Sequence, residues 1–276
     1  MIKQSQKILV TGVTGLVGAR LLPRLVNAGF DCYALIRGGK MLPEGVTAVN
    51  GDLLDTTSLS NAVKDMSAII HLAAVFRTHD TDMIWRVNLE GTRNLIEAAK
   101  THAPDVRFIM ASTSNVYNSN NPHPGREDDV VEAIHAYPAS KIAAEKELRE
   151  SGINWAILRF TFVYGDGDGH LEMLPRHVVD AKFHPAMRMS TIHHRDIYTA
   201  IAMALDGVMD RKTVNISDEA PTTIYELLQI LGEKMESSAE PLQNPWQLHA
   251  DSSLARSLGF KPTVRTIQQA AQEGLL

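Results

Sequence analysis

Lys7-Ile8-Leu9-Val10-Thr11-Gly12-Val13-Thr14-Gly15-Leu16-Val17-Gly18 reads as a short apolar strand that runs into a glycine-spaced turn and then a helix. Glycines at 12, 15 and 18 let the backbone turn sharply, approach an anionic ligand closely and pack the new helix against the strand it has just left. The helix start offers unpaired N–H groups and the positive end of its dipole, which suits a pyrophosphate. An apolar strand before the turn and an amphipathic helix after it are the context a dinucleotide site requires. Gly12, Thr14, Gly15, Leu16, Val17 and Gly18 are therefore candidate dinucleotide contacts.

Downstream of the turn, Leu16 to Ala28 reads as a helix closed by Gly29. Pro23 lies inside it, where a proline removes one backbone hydrogen bond and is expected to kink the helix. Asp31 to Ile36 reads as a second strand, ending at Arg37-Gly38-Gly39-Lys40. The end of such a strand is where an adenosine ribose is read: an acid there favours the 2′-hydroxyl of NAD, an arginine the 2′-phosphate of NADP. Arg37, with Lys40 close by, favours NADP over NAD. Val46 to Asn50 is a third strand, Thr56 opens a short helix, Ala68 to Leu72 is a fourth strand, Met83 to Lys100 a long helix, and Phe108 to Ala111 a fifth strand. Strands alternating with helices at this spacing predict an α/β fold, a Rossmann-type doubly wound parallel sheet whose ligands lie beyond the carboxyl ends of the strands. Arg37, Asp52, Ala73 and the residues after Ala111 all fall on that edge.

The 276 residues are enough for about two domains. A division follows, with residues 1–165 as the dinucleotide-binding domain and 166–276 as mainly a small C-terminal substrate-binding lobe; a late strand at 213–217 returns to the core. A net charge of −5 argues against a nucleic-acid binder acting through a broad basic surface, although it leaves room for a local basic pocket. No apolar run approaches the ~20 residues that cross a bilayer, and the polar start Met1-Ile2-Lys3-Gln4-Ser5-Gln6 does not resemble a signal peptide. The single cysteine, Cys32, rules out an internal disulfide and reads as a small core residue. The expected location is the cytoplasm, with a small molecule as partner and neither nucleic acid nor membrane.

The chemistry-bearing stretch follows the fifth strand. Ser112-Thr113-Ser114 ends that strand in hydroxyls, and Tyr137-Pro138-Ala139-Ser140-Lys141 opens a helix rich in Ala, Glu and Lys. Residues four apart on a helix share a face, so Tyr137 and Lys141 can point into one cleft, and Pro138 suits the first turn. A free phenol, pKa ~10, is a poor acid or base at neutral pH. A nearby ammonium and an oxidised nicotinamide would each favour phenolate and bring Tyr137 towards its working range.

These stretches, together with His71-Leu72-Ala73-Ala74, Val87-Asn88-Leu89-Glu90-Gly91-Thr92 and Leu158-Arg159-Phe160-Thr161-Phe162-Val163-Tyr164-Gly165, resemble the extended short-chain dehydrogenase/reductases, the group that includes NAD-dependent epimerases and dehydratases. The resemblance runs over nearly the whole chain. It implies a catalytic triad in which Thr113 hydrogen-bonds the reacting oxygen, Tyr137 is the acid/base, and Lys141 tunes Tyr137 and holds the nicotinamide ribose. It implies also that Asp52 and Leu53 contact the adenine, that Leu72, Ala73 and Ala74 line the cofactor, and that Phe160 to Val163 lie beside the nicotinamide. By the same resemblance Ser112 and Ser114 read as structural hydroxyls, with Ser114 a lesser candidate for substrate contact, and a homodimer through the long helix at 83–100 and the one opened by Tyr137 is allowed.

In the second half, Trp155 to Arg159 reads as a sixth strand, Leu171 to Lys182 as a helix over the substrate cleft, and a further helix starts at about Asp196. The loop Asp166-Gly167-Asp168-Gly169 lacks the glutamate that closes a calcium loop, so no metal is expected. His193 and His194 read as structural. Sugar-nucleotide enzymes of the resembled group usually carry a longer insertion and an arginine for the diphosphate just before the segment matching Thr191-Ile192-His193; here that place holds Met189, with Arg188 one position off. The favoured function is an NADP-dependent reductase or dehydrogenase acting on a small carbonyl or hydroxyl compound. A nucleotide-sugar epimerase or dehydratase with retained NAD, and a non-catalytic dinucleotide sensor, are the alternatives.

Overall fold

A computed structural model describes residues 6–39 and 41–276. The chain runs through β1 (Lys7–Thr11), α1 (Gly18–Asn27), β2 (Asp31–Ile36), β3 (Val46–Asn50), α2 (Thr56–Ala62), β4 (Ala68–His71), α3 (Thr81–Trp85), α4 (Gly91–His102), β5 (Arg107–Thr113), α5 (Ala136–Glu150) and β6 (Asn154–Phe160). It continues with β7 (Phe162–Tyr164), α6 (Leu174–Ala181), β8 (Arg188–Met189), β9 (Thr191–His193), α7 (His194–Leu205), β10 (Lys212–Ile216), β11 (Thr222–Thr223), α8 (Ile224–Ile230), α9 (Ser253–Ser257) and α10 (Ile267–Gln272). Seven strands form one parallel sheet in the order β10-β6-β5-β4-β1-β2-β3. The order reverses beside β1, so the loops after β1 and β4 diverge there and open a crevice at the strands' carboxyl ends.

Alternate residues of the central strands serve opposite faces, as a parallel sheet covered on both sides requires. Ile8, Val10, Ile70 and Ile109 pack with Leu21, Leu25, Ile197 and Ile201 from α1 and α7. Leu9, Ile69 and Phe108 pack with Leu59, Leu95, Ala99 and Leu148 from α2, α4 and α5. A separate apolar cluster joins Leu174 and Val178 of α6 to Leu227 and Leu228 of α8 and Ile267 of α10. β10 lies in the main sheet beside β6, where a returning late strand was expected. Among the described residues no helix is long and apolar enough to cross a membrane.

Helix bounds differ from the sequence reading in informative places. α1 starts at Gly18, two residues later than expected, because Leu16 and Val17 belong to the turn, and it runs through Pro23. The long helix expected over 83–100 is three pieces: α3, a π-helical turn at Arg86–Glu90, and α4. Asn88 sits in that turn with its amide buried. Its Oδ1 accepts from Val75 N at 2.7 Å, and its Nδ2 donates to Val75 O at 2.9 Å and Ser140 Oγ at 3.0 Å. The extra residue in the turn aims the amide at the loop after β4 and at α5 together, and such turns cluster at functional sites. The helix over the cleft is likewise shorter, a 3-10 turn at Leu171–Met173 followed by α6. α7 begins at His194 and not Asp196, with the His193 side chain accepting from Arg195 N as the cap.

The two histidines there are structural. His193 Nε2 donates to Leu275 O at 2.9 Å and His194 Nε2 to Asp168 Oδ2 at 2.8 Å. Asp196 accepts from Thr263 and Val264 and ties α7 to the closing segment.

Asp218, buried after β10, accepts the Thr191 hydroxyl on one oxygen while the other has no partner among the described residues. Burial pushes its carboxyl up to about 7. The folded state then keeps a proton that the unfolded chain releases near pH ~4, so stability falls as pH rises from there through 7. Asp218→Asn keeps the acceptor for Thr191 and removes the charge. It is expected to raise the melting temperature at pH 8 by about 2–4 °C, the response of a chain this size to ~1 kcal/mol. The gain should shrink towards zero at pH 4; thermal scans showing an equal gain at both values would refute a charge-based cause.

Candidate active site

The glycine turn forms the floor of a cleft of about 1460 Å³ that extends across the strand ends to α5 and α6. Gly12 adopts φ +72°, and a Cβ there would lie 2.6 Å from Ala73 N. A Cβ on Gly18 would collide with the Gly12 carbonyl, so the glycines let β1, the loop after β4 and α1 meet closely. No side chain caps the start of α1 and no acid occupies its first turn, leaving the N-terminus for an anion. These features fit a dinucleotide pyrophosphate.

Buried hydrogen bonds fix the wall formed by the loop after β4. Thr11 Oγ1 accepts from Ala73 N at 3.2 Å and bonds His71 Nδ1 at 2.8 Å, while His71 Nε2 meets Thr92 Oγ1 at 2.9 Å. Because Thr92 spends its own hydrogen on Asn88 O, it must accept from Nε2–H, which makes Nδ1 the acceptor for Thr11. Full burial lowers the His71 pKa to about 3 and keeps the imidazole neutral. His71 is thus a strut under Leu72, Ala73 and Ala74, all three of which line the cleft.

Thr113 closes β5, Tyr137 is the second residue of α5, and Lys141 follows one turn later; all three border the same cleft. Thr113, whose Oγ1 accepts from Asn115 N at 3.1 Å, lies close enough for its side chain to act on the Tyr137 phenol. Phe76 packs on Tyr137 with ring centroids 5.6 Å apart. The titration differs from the sequence reading. Burial pushes the Tyr137 phenol up to about 12, and the group that opposes the rise is Thr113, not Lys141. Burial lowers the Lys141 ammonium to about 8, partly offset by Glu145.

Glu145 sits one turn beyond Lys141 at the centre of a buried network. It accepts from Ser112 Oγ at 2.6 Å, from Arg159 Nη2 at 2.7 Å and from Arg149 Nη1 at 3.0 Å. Arg159 in turn donates to the Tyr117 hydroxyl at 2.9 Å, and Tyr117 donates to Asn215 Oδ1 at 2.6 Å. β5, α5, β6 and β10 are locked together behind the tyrosine in this way. Ser112 spends its hydroxyl hydrogen on Glu145 within this network.

At the other end of the cleft Arg37 is largely exposed beyond β2, 3.9 Å from the Asp52 carboxylate. Asp52 also accepts from Leu54 N at 2.8 Å. Leu53, Phe160 and Val163 line the cleft, as do Thr14, Gly15, Leu16 and Val17. Lys40 lies outside the described residues.

Several groups that border the cleft carried no sequence signal. His170 Nδ1 donates to Val163 O at 2.8 Å, and its ring stacks on Phe162 at 4.3 Å, so Nε2 is left as an acceptor. Arg77, Arg176 and His177 border the cleft from the loop after β4 and from α6. Glu145 and Arg159 could have been suspected, since a charged residue in an apolar strand demands a partner and Glu145 lies on the same helical face as Lys141.

Comparisons with known proteins agree with this architecture. The model of the NAD dependent epimerase/dehydratase family matches residues 8–220. A putative UDP-glucose 4-epimerase of Methanocaldococcus jannaschii is 25% identical, over 93% of this chain and 93% of that protein. A ceramide reductase of Caulobacter vibrioides is 28% identical over 68% of this chain and 57% of its own length. A short-chain dehydrogenase/reductase superfamily protein of Agrobacterium tumefaciens, solved with bound NAD, superposes with a TM-score of 0.81 at 24% identity, covering 97% of this chain and 95% of that one. With the glycine turn, the parallel sheet and most of its length accounted for in this way, the chain belongs to the NAD dependent epimerase/dehydratase family.

Proposed function

We propose that the protein transfers hydride between a nicotinamide dinucleotide and a small carbonyl or hydroxyl compound, with Tyr137 as acid/base. The observation that carries this reading is that Thr113, Tyr137 and Lys141 all border the cleft floored by the glycine turn, with Lys141 one helical turn beyond Tyr137. The dinucleotide, when bound, supplies or accepts the hydride and, oxidised, adds a positive charge. A phenol held up at about 12 keeps its proton at neutral pH and is suited to donating it to a substrate oxygen. Thr113 holds the phenol towards that oxygen, and the Lys141 ammonium stabilises the phenolate left behind. Residues 1–165 with β10 serve as the dinucleotide-binding part, and α6, α8 and their loops as the substrate lobe. A homodimer through α4 and α5 is part of the proposal, checked by sedimentation.

NADP is the favoured dinucleotide because Arg37 is exposed at the end of β2 and Asp52 is its nearest acid. Arg37→Ala is expected to weaken NADPH by about tenfold while leaving NADH near the parent value, the loss of one charge-assisted contact to a phosphate. Fluorescence titration of both dinucleotides measures this, and an unchanged ratio would remove the basis for preferring NADP. Alignment with the Methanocaldococcus epimerase along nearly the full length of both chains favours a second reading, a nucleotide-sugar epimerase or dehydratase that retains NAD. Dinucleotide content after exhaustive dialysis separates the two. Stoichiometric retained NAD supports the epimerase or dehydratase, and an empty protein that binds NADPH supports the reductase.

A further inference from the structure

The chain carries more acids than bases, 32 Asp and Glu against 27 Lys and Arg, yet its cleft has the opposite balance. Arg37, Arg77, Arg86, Lys141 and Arg176 border it, against Asp52 and Glu132 alone. Arg37 has Asp52 beside it, and Arg176 has Asp180 at 3.7 Å. Arg77 and His177 have no ion-pair partner among the described residues.

Arg77 is also placed close to the chemistry. Its guanidinium lies over the Phe76 ring, 5.0 Å from the centroid, and Phe76 packs on Tyr137. Burial lowers the His170 pKa and the Arg77 charge lowers it further, against the opposing Asp168 carboxylate, which favours the neutral ring with Nε2 as an acceptor. The Arg77 guanidinium has no carboxylate paired with it among the described residues, and a bound anion would supply one. Met189, Ser190, Gln247 and Leu248, which border the cleft from β8 and the loop before α9, bring no cation to it. Arg77 is thus a cation placed, through Phe76, beside the candidate proton donor.

We propose that Arg77 receives an anionic group of the substrate, a carboxylate or a phosphate, so that the substrate is a carbonyl or hydroxyl compound with a negatively charged end. This rests on the hydride-transfer reading for the reacting end of the molecule, but the anion site itself is testable without turnover. Arg77 offers a planar guanidinium that can hold either oxyanion with two parallel hydrogen bonds. Phe76, which packs on both Arg77 and Tyr137, lies between the charged end and the carbon that faces Tyr137.

The test is calorimetric titration of the protein, alone and with saturating NADPH, with inorganic phosphate, malonate and UDP as probes. Binding of phosphate or malonate that falls by about tenfold or more in Arg77→Ala, and is partly restored in Arg77→Lys, supports the site. Which of the two binds more tightly then distinguishes a phosphate-bearing from a carboxylate-bearing substrate. The proposal fails if neither small anion binds, if Arg77→Ala leaves their binding unchanged, or if UDP alone binds. It fails too if Arg77→Ala weakens NADPH as much as the anions, which would make Arg77 a cofactor contact. Tyr137→Phe should leave anion binding intact, so failure of the acid/base assignment is read separately from failure of the anion site.

Discussion

Tyr137→Phe is expected to lower kcat/KM for an identified substrate by about 10²–10⁴-fold, the usual contribution of a positioned acid/base. The variant removes one oxygen from a ring that keeps its packing on Phe76, and Thr113 loses a partner at the edge of an open cleft. Dinucleotide affinity should therefore stay within about twofold, since the glycine turn and the α1 terminus are untouched. If turnover stayed within a few-fold of the parent, Tyr137 would not be the proton donor, whatever the identity of the substrate. The pH profile adds a second readout. Lys141 is held at about 8, so a reaction that depends on its ammonium should slow as pH rises through that value. Lys141→Met should remove that limb together with most of the activity.

Glu145→Ala is the substitution expected to damage the fold most, by ~3–5 kcal/mol in a denaturant unfolding experiment. It leaves the Arg159 guanidinium buried beside Ser112 and Tyr117 with no carboxylate. Nearly all of that loss is the penalty for an uncompensated charge, and it is not the net worth of the pair. The double variant Glu145→Ala/Arg159→Met, which removes both charges, should accordingly be more stable than Glu145→Ala alone. A cost below ~1 kcal/mol for Glu145→Ala, or no recovery in the double variant, would contradict this account.

The relation between sequence and site differs from element to element. Gly12, Gly15 and Gly18 were legible because their requirement is local: each permits a backbone course that a Cβ would block. Tyr137 and Lys141 were legible because helical periodicity fixes which residues share a face, and Pro138 marks the helix start. Asn88 is different. Its π-helical turn answers to Val75 and to Ser140, 52 residues away, and apolar periodicity over 83–100 contains no trace of either. The pairing of Arg159 with Glu145 was half legible, since an arginine in an otherwise apolar strand announces a need without naming its partner.

Local steric and periodic rules acting along the chain determined by themselves the strand–turn–helix at residues 7–27, the alternation that makes a parallel sheet, and the shared helical face of Tyr137 and Lys141, while Thr113 and the triad's roles came from the family resemblance. Tertiary structure alone decided that burial and Thr113, not Lys141, would set the Tyr137 titration, that the long helix would break at Asn88, and that Arg77 would lie over Phe76 beside Tyr137. The physical reason is distance along the chain. Desolvation and charge–charge effects depend on which groups meet in space, and these groups come from the loop after β4, the end of β5 and α5, which no single stretch of sequence brings together.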